Sequence, residues 1–143
     1  MDDRGTEIVA DEISSHAIPL NDALTLYFSD FLAAKKNQSL LPKLRKLNVT
    51  FRIVLQPPVA QMWTLTIKDG MLISVLQGES DSQCAFRLKP ETFLQIAAGK
   101  LSPQMAFFKR QVDIEGEIDT GLKLATVLAE FFQRFPYHTG PTE

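Results

Sequence analysis

A chain of 143 residues, 45% of them hydrophobic and 22% charged, has the length of one domain and enough apolar content to build one core. Its apolar runs all fall short of the ~20 residues that carry a helix across a bilayer, which excludes a helical membrane span. The formal charge of -2, with no aromatic residues interleaved among the clustered basic ones, argues against nucleic acid as a partner.

The opening stretch MDDRGTEIVADE carries five acids and one arginine over residues 2–12 and lacks the basic-then-apolar order of a secretory leader. A flexible segment is therefore expected over residues 1–20, and a cytoplasmic location with it. The folded unit is expected over residues 21–137 and a short tail over 138–143. In NDALTLYFSDFLAAKK, Asn21 or Asp22 suits a helix cap, and Leu24, Tyr27, Phe28, Phe31 and Leu32 recur at helical spacing. The next segment, KKNQSLLPKLRKL, holds Lys35, Lys36, Lys43, Arg45 and Lys46 with no acid among them. Lys43, Arg45 and Lys46 are the candidates for contact with an anionic membrane, and the simpler alternative is a solvated helix end and loop.

From Asn48 the period changes to two. Val49, Phe51, Ile53 and Leu55 alternate with Thr50, Arg52 and Val54, which predicts a strand. Trp63, Leu65 and Ile67 alternate next, and Asp69-Gly70 predicts a hairpin turn. The returning strand, MLISVLQ, is apolar on both sides and is expected inside the sheet rather than at an edge. QCAFRL makes a fourth strand. Its cysteine, Cys84, is the only one in the chain, so no internal disulfide forms, and its apolar neighbours predict a buried, inert thiol.

Lys89-Pro90-Glu91 and Ser102-Pro103 are two helix starts with proline at the first helical position, and Gly99 suits the left-handed residue that ends the first of these helices. RQVDIEG predicts the fifth strand. The last long element is the most periodic: Leu124, Val127, Leu128, Phe131, Phe132 and Phe135 fall on one helical stripe. The order is helix, four strands, two helices, strand, helix. This describes an α+β domain whose mainly antiparallel five-stranded sheet is covered by helices on one face.

Polar chemistry is sparse. His16 and His138 lie outside the periodic elements, and neither has a metal-ligand partner at useful spacing. No phosphate-binding glycine loop, nucleophile elbow or dinucleotide fingerprint is present. Asp113, Glu115, Glu117 and Asp119 form an acidic run at a strand end, where alternation with inward apolar residues describes an exposed edge. The excess is in large apolar groups: ten phenylalanines and one tryptophan, with Phe107-Phe108 and Phe131-Phe132 as adjacent pairs. Neighbours on a helix point about 100° apart, so one ring of a pair can seal the sheet while the other faces a gap between elements.

The segment FRLKPETFLQIAAGKLSPQMAFFKRQVDIEG, Phe86 to Gly116, resembles the sterol carrier protein 2 family of lipid-binding domains. The matching features are the alternating strand, Pro-Glu-x-Phe opening a helix, Ala-x-Gly-Lys-Leu, the Ser-Pro turn, Ala-Phe-Phe and a strand ending Ile-x-Gly. The resemblance extends more loosely from Asn48 to Phe135. Within that family, Phe107, Phe108, Arg110, Ile114, Glu115, Gly116, Glu117, Gly121 and Leu122 are similar to a pattern in bacterial accessory factors of ubiquinone biosynthesis. The likeness departs in the last helix, where Ala125, Thr126 and Ala129 replace the Lys-Asn pair and later acid of those factors.

The resemblance implies a non-enzymatic carrier with no cofactor, holding a fatty acyl, isoprenoid-quinone or sterol-like lipid in an apolar tunnel between sheet and helices. On the sheet side the expected lining is Phe51, Trp63, Leu65 and Phe86. The expected helix side is Phe93, Ile96, Met105, Phe108, Leu124, Leu128, Phe131 and Phe132, with Phe107 and Phe108 dividing core and tunnel between them. Expected partners are the lipid itself and, transiently, an anionic membrane or a lipid-modifying enzyme. The alternative is an interaction module of the same fold that packs solid and docks to an enzyme without carrying lipid.

Overall fold

The computed structural model describes residues 19–37 and 47–138, and Lys43, Arg45, Lys46 and His16 lie outside them. Helix α1 (Leu20–Leu26) continues into a π-helical segment, Tyr27–Leu32, and a 3-10 turn, Ala33–Lys35. The spacing predicted one amphipathic helix. The structure keeps its inward side, with Leu24, Tyr27, Phe28 and Leu32 all buried, but winds the second half more widely.

Five strands follow the expected order: β1 (Val49–Leu55), β2 (Gln61–Lys68), β3 (Met71–Gln77), β4 (Cys84–Leu88) and β5 (Val112–Gly116). Their spatial order is β3-β2-β1-β4-β5. Three of the pairings are antiparallel, and β1 runs parallel to β4, so the sheet is mixed. Asp69 and Gly70 join β2 to β3 with φ of 51° and 79°, the paired left-handed conformation of a tight hairpin turn.

β3 lies at the sheet edge, not in its interior. Its apolar run is broken by a bulge: Ile67 pairs with Leu72 but Thr66 with Ser74, so Ile73 is an extra residue. The bulge brings Leu72 and Val75 to the same face, opposite Ile67 and Leu65, and leaves Ile73 and Leu76 exposed. An apolar run that reads as two-sided is therefore one-sided. The edge carbonyl of Leu72 accepts the N–H of Asn37 at 2.8 Å.

The chain between β3 and β4 passes over the face opposite the helices. Thr64 Oγ1 donates to Gly78 O at 2.8 Å, while Arg52 reaches Ser82 Oγ at 3.0 Å and Glu79 at 3.2 Å. This crossing explains why Thr64, Val54 and Ala85 are buried on that face.

Helix α2 (Pro90–Ala97) ends at Gly99, whose φ of 78° accompanies an N–H to Ile96 O bond of 3.0 Å. Helix α3 (Pro103–Phe108) is capped by Ser102, whose hydroxyl accepts the Met105 N–H at 3.0 Å. Helix α4 (Ile118–Arg134) turns Gly121, Leu124, Ala125, Phe131 and Phe132 inward. A Cβ at Gly121 would stand 2.5 Å from Ile114 Cγ2, so glycine is what lets α4 close on β5. Beyond α4, Tyr137 ties the layers together: its N–H donates to Ala97 O at 2.9 Å and its hydroxyl to Ala23 O at 3.1 Å. The core thus fills the space between one face of the sheet and the four described helices.

Candidate functional site

Two apolar cavities occupy that space. The larger, about 60 Å³, lies between the π-helical segment, strands β1 to β3 and the end of α4, and is lined by residues that include Tyr27, Phe28, Phe51, Leu65, Phe93, Leu128, Phe131 and Phe132. The smaller, about 40 Å³, lies under α2, α3 and α4 against β4 and β5, with Phe86, Ile96, Phe107, Val112 and Ile114 in its lining. Ile53, Phe93, Leu128 and Phe132 line both. These four side chains form a partition. Where one tunnel was expected, the structure has two chambers with a hydrocarbon wall between them.

Each chamber is well below the ~300 Å³ at which ligand clefts usually begin. Admitting a lipid therefore requires the partition to move. Three of its members, Phe93, Leu128 and Phe132, sit on helices α2 and α4, and side-chain rotation there can merge the chambers without breaking the sheet.

Eight of the twelve expected lining residues reach a chamber: Phe51, Leu65, Phe86, Phe93, Ile96, Leu128, Phe131 and Phe132. Four do not. Trp63 is buried but stacks flat on Phe28, ring centroids 4.8 Å apart, so Phe28 stands between it and the chamber; its indole N–H donates to Gln61 Oε1 at 2.9 Å. Gln61 in turn donates to Asn21 Oδ1 and Thr25 Oγ1, both at 2.8 Å, and the pair pins α1 to the sheet. Leu124 is fully buried in solid packing.

Met105 and Phe108 point to solvent, 48% and 73% exposed. In the short helix α3, Pro103, Ala106 and Phe107 share the inward side, so residues three apart on the opposite side, Met105 and Phe108, face out. Phe107 takes the inner position at the smaller chamber.

The sequence reading did not assign Tyr27, Phe28 or Leu32 to the lining, although their i, i+1, i+5 placement on a stripe facing the sheet carries the signal. Lys35 has a different use from the one its basic neighbourhood suggested: its Nζ sits 4.7 Å from the Phe31 ring centroid and 4.6 Å from that of Phe135, capping the aromatic cluster.

Polar chemistry near the chambers is slight. The Cys84 thiol is buried and pushed up to about 11, by desolvation first and by Glu117 second, which keeps it protonated and unreactive at neutral pH. Of the acidic run, Glu115 pairs with Arg87 at 2.9 Å, and this hydrogen bond holds its carboxyl below the usual range. Glu117 accepts from Thr120 Oγ1 at 2.8 Å. Among the described residues, no group of three or more His, Cys, Asp or Glu is placed to hold a metal ion, and no helix is long and apolar enough to cross a membrane.

The fold recurs in solved structures. Palmitated SCP2L2 from Aedes aegypti superposes with a TM-score of 0.57 at 19% identity, over 82% of this chain and 97% of that one. The UbiJ-SCP2 ubiquinone synthesis protein superposes with a TM-score of 0.55 at 15% identity, over 80% of this chain and 99% of that one. In sequence, 75 residues are 32% identical to the peroxisomal multifunctional enzyme type 2 of Mus musculus, covering 51% of this chain but only 10% of the mouse protein. Another 26% identity extends over 86 residues of the non-specific lipid-transfer protein-like 1 of Caenorhabditis elegans, 59% of this chain and 73% of that protein. The sequence profile of the SCP-2 sterol transfer family matches residues 28–129, and this chain, an α+β domain with a five-stranded sheet under helices, belongs to that family.

Proposed function

We propose that this domain is a lipid carrier that performs no chemistry of its own and holds a single apolar chain in the merged chambers. The observation that carries this reading is the partition: two hydrocarbon-lined spaces on the same side of the sheet, separated only by Ile53, Phe93, Leu128 and Phe132. Burial alone can supply retention. At ~25 cal/mol per Å², enclosing ~300 Å² of acyl surface contributes on the order of 7 kcal/mol before ordering costs, in the range of micromolar binding. The palmitated state of the Aedes aegypti protein supports a fatty acyl ligand.

A finer reading, an accessory factor presenting isoprenoid-quinone intermediates, draws on the Phe107 to Leu122 pattern and on the fold shared with the UbiJ-SCP2 protein. Lipid collection from an anionic cytoplasmic membrane through Lys43, Arg45 and Lys46 belongs to the same proposal. Mass spectrometry of an organic extract of the natively purified protein is the test. A stoichiometric co-purifying lipid is the expected result, and its class decides between acyl and quinone cargo.

The second reading, an interaction module that docks to an enzyme, is favoured by the small size of each chamber and by the outward Met105 and Phe108 on α3. A protein that purifies without lipid and takes none up from vesicles has this second role.

A further inference from the structure

Tyr27 is the polar exception in the larger chamber. It opens the π-helical segment and is 0% exposed. Its ring meets Phe28 and Tyr137 edge-on, at centroid distances of 5.3 and 4.9 Å, and stacks on Phe31 at 5.2 Å. The side chain lines the chamber, and its hydroxyl, buried behind that lining while the chambers are separate, has no hydrogen-bond partner among the described residues.

The surrounding polar groups make the contrast plain. Trp63, Gln61 and Tyr137 bury polar atoms nearby and each is paired. Burying a hydroxyl without a partner costs stability, and phenylalanine would fill the same space without that cost. The backbone carries a second sign at the same residue, because π-helical turns are rare and concentrate at functional sites.

We propose that the Tyr27 hydroxyl is the polar anchor of the cargo, donating a hydrogen bond to one neutral acceptor oxygen, a carbonyl or hydroxyl, on a lipid whose hydrocarbon part fills the chambers. This rests on the carrier reading and narrows it to a ligand class. Burial raises the Tyr27 pKa, so the group remains a donor throughout the physiological range. The acceptor is neutral because none of the described residues that line this chamber is charged, and a carboxylate drawn inside would lose its hydration with no cation among them to replace it. A free fatty acid would keep its carboxylate at the mouth or enter protonated. A ketone, ester or quinone carbonyl reaches the hydroxyl once the chambers merge and the lining around Tyr27 opens.

The test compares wild-type protein with Tyr27→Phe, using 2-hexadecanone and n-hexadecane as probes and the fluorescence of the single tryptophan, Trp63, as the readout. Trp63 stacks on Phe28, which lines the chamber, so its emission senses occupancy through that ring. Tyr27→Phe is expected to fold with unchanged or higher Tm, since only an unpaired hydroxyl is lost. Wild type is expected to prefer the ketone by roughly tenfold, as sites built to hydrogen-bond a ligand reject analogues lacking the group. The variant should lose that preference while its hexadecane affinity stays the same. Equal affinities of wild type and variant for the ketone overturn the anchor and leave the carrier reading standing. Failure of wild type to bind either probe removes both.

Discussion

Phe107 and Phe108 are consecutive, with ring centroids 6.0 Å apart, yet one lines the smaller chamber and the other is 73% exposed. The division is the geometry of a six-residue helix whose inner side is already set by Pro103 and Ala106. Phe107→Asp should therefore weaken binding of a fluorescent fatty acid by about tenfold or more, because it places a carboxylate in a hydrocarbon lining. Phe108→Asp should leave affinity nearly unchanged. Comparable losses in two variants with native circular dichroism would contradict this assignment.

The partition makes its own prediction. Leu128 is half-buried, lines both chambers, and projects from α4. Leu128→Ala should destabilise the lipid-free protein by ~2 kcal/mol, the low end for a buried leucine, since part of the side chain is already solvated. It should also speed uptake of a fluorescent acyl chain, measured by stopped flow, because the wall it helps build is thinner. Slower uptake, or none, would show that cargo does not cross this wall.

Much of the fold is legible in the chain because its signals are local. Ser102-Pro103, Pro90-Glu91, Gly99 and Asp69-Gly70 each fix one backbone geometry, and the structure has those geometries at those residues. The edge position of β3 was not legible. A bulge at Ile73 changes which side chains share a face, and alternation counted along one strand has no access to its partner's register. The π-helical winding at Tyr27–Leu32 was hidden for a similar reason, since residues 24, 27, 28 and 32 fall on one face of either winding. At the candidate site, the expected residues on strands and long helices do line a chamber, as with Phe51, Leu65 and Phe132. The residues away from the chambers sit in a helix too short to show a stripe, with Met105 and Phe108 turned out, and at Trp63, screened from the chamber by Phe28.

Gly116 ends β5 with a φ of 85°, and a Cβ there would lie 2.6 Å from Gln83 O. Two costs act together: a left-handed backbone that side chains disfavour, and a clash with backbone that cannot rotate away. Gly116→Ala should lower stability by about 2 kcal/mol or more in urea unfolding. Gly78, also left-handed at a φ of 110°, has nothing within 4 Å of its would-be Cβ, so Gly78→Ala isolates the conformational cost. A Gly116 variant no worse than the Gly78 variant would mean that β5 shifts to relieve the contact.

On the proposed reading, the basic segment bears on how cargo arrives rather than on how it is held. Lys43, Arg45 and Lys46 lie in the stretch that separates the 3-10 turn from β1, with no acid between Lys35 and Lys46 to offset them. Each basic residue near an anionic bilayer adds attraction of ~1 kcal/mol, screened over ~8 Å at physiological salt. Replacing the three with glutamine should slow lipid transfer from anionic vesicles at low salt and leave transfer from neutral vesicles unchanged. Affinity for a monomeric ligand should also be unchanged, since none of the described residues that line either chamber is charged. Charge would then govern encounter, and the partition retention. Transfer rates indifferent to vesicle charge and to these substitutions would assign the segment to solvent and make direct hand-over from a partner protein the route of loading.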